Sequence, residues 1–129
     1  MIESGVEMLI GVVWDPVFGP VLACGAGGVQ AELLEDVSVR LTPISERDAR
    51  EMIRSLRTFR LLTGYRGAPE ADIGALEDLL LRVSALVESH REVAELDLNP
   101  VLARAEGVVA VDARVRIEAA PPEAPWPRA

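Results

Sequence analysis

Residues able to do metal or phosphate chemistry cluster near the end of this 129-residue chain. Ala94, Leu96 and Leu98 alternate with Glu95, Asp97 and Asn99. Val111, Ala113, Val115 and Ile117 alternate with Asp112, Arg114 and Arg116. A period of two predicts two strands, each apolar on one face and polar on the other. Arg104-Ala105-Glu106-Gly107 supplies the turn of a hairpin. If the turn is even-membered and centred between Ala105 and Glu106, Asn99 falls opposite Asp112, Asp97 opposite Arg114 and Glu95 opposite Arg116. Opposed residues share a face with their β-carbons ~5 Å apart. Asn99 and Asp112 then present oxygen atoms side by side, with Asp97 one pleat away and held by Arg114. Pro100 is expected to end the strand. Hard oxygen ligands of this kind suit Mg²⁺, which keeps several waters and is completed by substrate phosphates. There it would neutralise and orient a transferring phosphoryl group. The same alternation is also what a solvated, salt-bridged hairpin face produces, and an odd-membered turn would part the pair.

Composition narrows the chemistry further. All 13 cationic side chains are Arg, so no Schiff base, Lys general base or P-loop Lys is available within this sequence. The net charge of -8 argues against a nucleic-acid surface, which needs a cationic face. Cys24 stands alone, which excludes an internal disulfide and fits a reducing compartment. No apolar run reaches ~18 residues, so no transmembrane helix is expected. There is no basic n-region with a long apolar stretch, and a cytoplasmic location without membrane association is expected. Gly25-Ala26-Gly27-Gly28 reads as a turn that lacks the lysine of a phosphate-binding loop. His90, at the expected end of a helix, has no second His or Cys near it for zinc. The serines lack a nucleophile elbow. Arg66, between Gly64 and Gly67, and Arg40, on an expected strand, could each reach a phosphate or simply bind carbonyls.

The elements that must position these residues are legible from periodicity. Residues 6–13, 21–24, 29–35 and 37–41 read as short strands in succession, which favours antiparallel pairing. Residues 45–91 read as helical. Ser45 with Asp48 forms a capping-box variant, and Ala49, Met52, Ile53 and Leu56 follow helical spacing. A break at 63–69 precedes Asp72, a candidate cap for a second helix with the stripe Ile73, Leu76, Leu79, Leu80, Val83, Leu86 and Val87. The fold class is α+β: a mostly antiparallel sheet with two main helices on one face. One domain is expected over residues 1–118, followed by a Pro-rich flexible tail over 119–129.

Seven short motifs in order carry a family resemblance. They are Gly5-x-Glu7-Met8, Asp15-Pro16-x-Phe18-Gly19-Pro20-Val21, Gly25-x-Gly27-Gly28, Glu35-Asp36-Val37-Ser38-x-Arg40, Gly64-Tyr65-Arg66-Gly67, Glu95-Leu96-Asp97-Leu98-Asn99-Pro100 and Val109-Ala110-Val111-Asp112-Ala113-Arg114. Together they resemble the C-terminal part, the second lobe, of the ATP-grasp domain of NDP-forming (ADP-forming) acyl-CoA synthetases. That group is related to the succinyl-CoA synthetase β subunit and to the synthetase-like module of some bacterial protein-lysine acetyltransferases.

The resemblance implies half of an ATP-grasp fold and Mg²⁺ and ATP/ADP as cofactors. It implies that Asn99 and Asp112 hold the metal, with Asp97 as a nearby acidic residue. Glu7 resembles the acid near the nucleotide ribose, and Arg40 and Arg66 match motif positions that would touch the nucleotide. It further implies partners outside this sequence: the first ATP-grasp lobe, with its phosphate-binding lysines, and the CoA-binding domains. Homo-oligomerisation is compatible with it. The implied reaction couples acyl-CoA formation or cleavage to ADP/ATP phosphoryl transfer, and the chain alone is expected not to catalyse it. The alternative is a regulatory or interaction module whose nucleotide site has decayed.

Overall fold

A computed structural model describes residues 5–27, 36–64 and 67–119. The strand expected at 29–35, Gly28, Arg66 and, apart from Ala119, the expected tail lie outside the described residues. In chain order the elements are β1 (Val6–Asp15), β2 (Gly19–Ala26), β3 (Val37–Leu41), α1 (Glu46–Arg54), α2 (Phe59–Leu62), α3 (Ile73–Ser89), β4 (Val93–Ala103), β5 (Val108–Ala110) and β6 (Ala113–Ile117). The strands form one antiparallel sheet ordered β3-β2-β1-β4-β5, with β6 also pairing β4. No helix among the described residues is long and apolar enough to cross a membrane.

Alternation decides which sheet face is covered. Met8, Ile10 and Val12 of β1, Leu22 and Cys24 of β2, and Leu96 and Val101 of β4 are buried with Met52 and Ile53 of α1 and Leu76, Leu80, Val83 and Val87 of α3. Both main helices therefore lie on one face, as their apolar stripes require. The opposite face is open, and Val13, Val39 and Leu41 are about half exposed there. The Ser45 hydroxyl accepts from the Asp48 N–H at 3.0 Å while the Asp48 carboxylate accepts from the Ser45 N–H at 2.9 Å, completing the expected capping box.

Two turn expectations need correction. β2 continues through Gly25 and Ala26 rather than ending at Cys24. A β-carbon on Gly25 would lie 2.5 Å from the Asp36 carbonyl, and one on Gly27 would lie 2.8 Å from the Met8 carbonyl. These glycines admit neighbouring backbone, which a turn reading of the sequence does not anticipate. Pro100, expected to end its strand, lies inside β4. Its missing N–H costs no ladder bond, because pairing with β1 slips there: Ile10 pairs Leu98, whereas Met8 pairs Val101. Its carbonyl accepts from the Val111 N–H at 2.9 Å.

Candidate metal centre

The slip at Asn99 and Pro100 is a β-bulge. β4 advances three residues where β1 advances two, so Leu98 and Val101 both face the core, with Asn99 and Pro100 between them. On its other side β4 does not slip at this point, and its one irregularity there lies further back, between Val93 and Glu95. Leu98 pairs Ala113 and Val101 pairs Ala110, so the hairpin keeps its register through the bulge. The turn is even-membered as expected: Glu95 pairs Arg116, Asp97 pairs Arg114, and the Asn99 N–H donates to the Asp112 carbonyl at 3.2 Å. The structure thus brings Asn99 and Asp112 opposite one another, both exposed.

Asp97 lies between Gly11 on β1 and Arg114 on β6. It alternates with core-facing Leu96 and Leu98, which places it on the open face. Gly11 puts no side chain beside it. The ion pair expected between Asp97 and Arg114 does not form. The hairpin's cross-strand pair is one register step away, where Arg116 meets Glu95 at 3.0 Å and also Glu118. Among the described residues, the side chains of Asp97, Asn99, Asp112 and Arg114 have no hydrogen-bond or ion-pair partner.

The remaining expected site residues divide. Glu7 alternates with buried Met8, is exposed, and stands opposite Leu102. It shares the open face with Asp97 but sits roughly 10 Å along the strands from Asn99, at ~3.3 Å per residue. Arg40 is not brought to this group. It pairs buried Leu22 in the register, so it projects to the helix-covered face. Its guanidinium lies 4.0 Å from Asp48 and 3.9 Å from Glu51 of α1, and it donates to the Val39 carbonyl at 2.8 Å. Arg66 lies outside the described residues. His90 ends α3, its N–H donating to the Leu86 carbonyl at 2.9 Å, with Nδ1 3.3 Å from Glu92. Cys24 is fully buried. Desolvation, with the nearby Asp36 charge, pushes its thiol pKa up to about 12.

The donor set fits a hard, partly hydrated cation. Asn99 supplies an amide oxygen and Asp112 a carboxylate, and no partner within the described residues competes for either. No group of three or more His, Cys, Asp or Glu among the described residues forms a closed cage. An open site of one or two protein oxygens is the arrangement Mg²⁺ uses when phosphates complete its shell.

Two carboxylates make tertiary contacts that local pattern does not announce. Asp36 is buried between β3 and the α1–α2 connection, accepting from the Arg57 and Thr58 N–H groups at 2.7 Å each and from the Thr58 hydroxyl. Asp72 caps α3 as expected but also reaches the hairpin turn 35 residues away, accepting from the Gly107 N–H at 2.9 Å. No periodicity announces a contact of that span. Asp72's cap position was the available signal.

A six-stranded antiparallel sheet covered by helices on one face, with an amide and a carboxylate opposed on its last hairpin, defines an α+β lobe. A profile of the ATP-grasp domain family matches residues 1–117, and the chain belongs to that family. It is 49% identical over 115 residues to an ADP-forming acetate–CoA ligase I of Archaeoglobus fulgidus, covering 89% of this chain and 17% of the relative. It is 46% identical over 118 residues to the β subunit of ADP-forming acetate–CoA ligase II of Pyrococcus furiosus, covering 89% and 50%. Among solved structures, the dinucleotide-forming acetyl-coenzyme A synthetase 1 of Ca. Korarchaeum cryptofilum, in complex with coenzyme A and Mg-AMPPCP, matches with a TM-score of 0.87 and 45% identity. The match covers 92% of this chain and 55% of that one. The chain therefore spans about half the length, or less, of the relatives it matches.

Proposed function

We propose that this chain supplies the Mg²⁺-nucleotide-holding surface of an NDP-forming acyl-CoA synthetase, in which acyl-CoA formation or cleavage is coupled to ADP/ATP phosphoryl transfer. The observation that carries this reading is the unpartnered Asn99–Asp112 pair, opposed across the hairpin with Asp97 on the same open face. Asn99 and Asp112 would hold the metal. When bound, Mg²⁺ would neutralise phosphate charge and orient the phosphoryl group. The chain's own residues supply the rest of the surface: Gly11 leaves Asp97 an open flank, Glu7 marks the far end toward the ribose, and the bulge fixes the aim of Asn99.

The related enzyme solved with Mg-AMPPCP supports magnesium and an adenine nucleotide as the ligands. The partners on this reading are the other ATP-grasp lobe, which would supply the phosphate-binding lysines absent from this sequence, and the CoA-binding domains. Alone, the chain holds ligand without turning it over.

Titration of Mg²⁺-ADP into this chain and into its Asn99→Ala/Asp112→Ala variant tests the reading. Magnesium-dependent binding that the double variant loses supports it. Equal binding by both, or no Mg²⁺-dependent binding to the intact chain joined to its partners, overturns it and favours a module whose site has decayed. ATP-dependent acyl-CoA synthesis by the chain alone would overturn the expectation of inactivity.

A further inference from the structure

Asp112 sits on a poorly anchored arm. Every residue of β6 is exposed, as are Val111 and Asp112 before it. β5 is three residues long and pairs only β4. A strand with one buried face resists slippage, because a one-residue shift would turn its apolar set outward. β6 has no such face. Its far end is held by the exposed Arg116–Glu95 pair and by the Glu118 N–H donating to the Glu92 carbonyl at 2.8 Å, and its near end, where Asp112 lies, depends on the turn.

The turn is tied down by one residue. The Asp72 N–H donates to the Arg104 carbonyl at 2.7 Å, and one Asp72 carboxylate oxygen accepts from the Gly107 N–H at 2.9 Å. The other oxygen accepts from the Ala75 N–H at 3.0 Å, capping α3. Arg104 and Gly107 also bond each other, N–H to carbonyl, at 3.1 Å. Gly107 has φ +79, with nothing within 4 Å of the position its β-carbon would take, so backbone conformation rather than crowding calls for glycine there. A helix cap needs only one acceptor, and Ser serves nearly as well as Asp. The second oxygen does a separate job. Since α3 is fastened to the core through Leu76, Leu80, Val83 and Val87, the contact refers the hairpin turn to the rigid body of the domain.

We infer that Asp72 is a positioning residue for the metal site: by clamping both ends of the 104–107 turn to α3 it locks the register that keeps Asp112 opposite Asn99. This rests on the metal reading of those two residues. The test compares Asp72→Ser, which keeps a cap acceptor but does not reach Gly107, with the parent chain and with Asn99→Ala.

Amide exchange is expected to quicken about tenfold at β5 and β6 in Asp72→Ser while α3 amides at Leu80 and Val83 stay unchanged. Affinity for Mg²⁺-ADP is expected to fall about tenfold, with ADP binding in the absence of Mg²⁺ unaltered. Unchanged exchange on β5 and β6 overturns the register lock whatever the metal does. Quickened exchange with Mg²⁺-ADP affinity within about twofold of the parent, in a chain where Asn99→Ala does weaken it, overturns the link between register and site. Insensitivity of Mg²⁺-ADP binding to Asn99→Ala itself would instead count against the metal reading, and with it against Asp72 as a metal-site residue.

Discussion

Asn99 and Asp112 meet where β4 bulges against β1 but keeps its register with β5 and β6, so the bulge re-aims Asn99 without parting it from Asp112. The pair therefore behaves as one amide and one carboxylate across a ladder, and its chemistry should survive exchange of the two. Asp112→Asn is expected to weaken Mg²⁺-ADP binding about tenfold, and adding Asn99→Asp should restore most of it, because the swapped pair again offers one carboxylate and one amide. Both side chains are exposed and unpartnered, so thermal stability should move by no more than about 0.5 kcal/mol in any of these variants. Calorimetric titration and thermal melts check the two halves. Additive losses in the double variant would mean that the residues do not share a ligand.

Arg40 matches a family motif position but lies away from the Asn99–Asp112 pair. Its guanidinium faces Asp48 and Glu51 on the helix-covered side, at 4.0 Å and 3.9 Å. Arg40→Ala is expected to leave Mg²⁺-ADP affinity unchanged. Partly exposed pairs at such distances contribute little, so the stability cost should be below about 1 kcal/mol. A nucleotide titration and a urea curve on this one variant decide the matter. A large loss of affinity would return Arg40 to the site.

The contrast shows what a sequence can carry. Period-two alternation over 94–99 and the even turn specify which residues oppose one another, because both rules act within a few residues. The strand read over 111–117 is shorter than expected: it starts at Ala113, and Val111 and Asp112 lie between β5 and β6. The helix caps at Ser45 and Asp72 are equally local and were legible. The bulge was not. It depends on how β4 meets β1, some 90 residues away, and a local reading of Pro100 gave a strand end instead. The face of Arg40 was likewise set by Leu22 across the β2–β3 ladder and by where α1 packs. The second contact of Asp72 and the burial of Asp36 are tertiary facts of the same kind.

Cys24 is expected to be chemically silent in the folded chain. It is fully buried, and desolvation pushes its thiol pKa up to about 12, so little thiolate exists at neutral pH to attack a reagent. A disulfide-exchange reagent at pH 8 should label it only as fast as the chain opens, and urea should accelerate labelling in step with unfolding. Rapid labelling of the native chain would show that β2 opens locally at Cys24.

Asp36 should be the most costly carboxylate to remove. Burial raises its pKa, but bonds from the Thr58 hydroxyl and from the Arg57 and Thr58 N–H groups, with the Arg57 charge, outweigh this and hold it below the usual carboxylate value. Asp36→Ala leaves these donors facing a buried void and is expected to cost about 2–4 kcal/mol. Asp36→Asn keeps one acceptor but turns an amide N–H toward another donor, and should recover only part of that. The pH dependence has a definite sign. A depressed folded pKa means that the carboxylate's contribution is complete above the unfolded value of ~3.9 and is lost as pH falls through the lower folded value. Urea unfolding of the parent and of Asp36→Asn should therefore show a constant gap from about pH 7 to about pH 5 that narrows below about pH 4. Both proteins should keep some acid sensitivity, because hydrogen bonds from the Ser45 backbone to Asp48 and from the Ala75 and Gly107 backbones to Asp72 depress those carboxyls in the same direction. A gap that stays constant to pH 2.5 or below, about a unit and a half under the unfolded value, would show that Asp36 acts through shape alone and not through its charge.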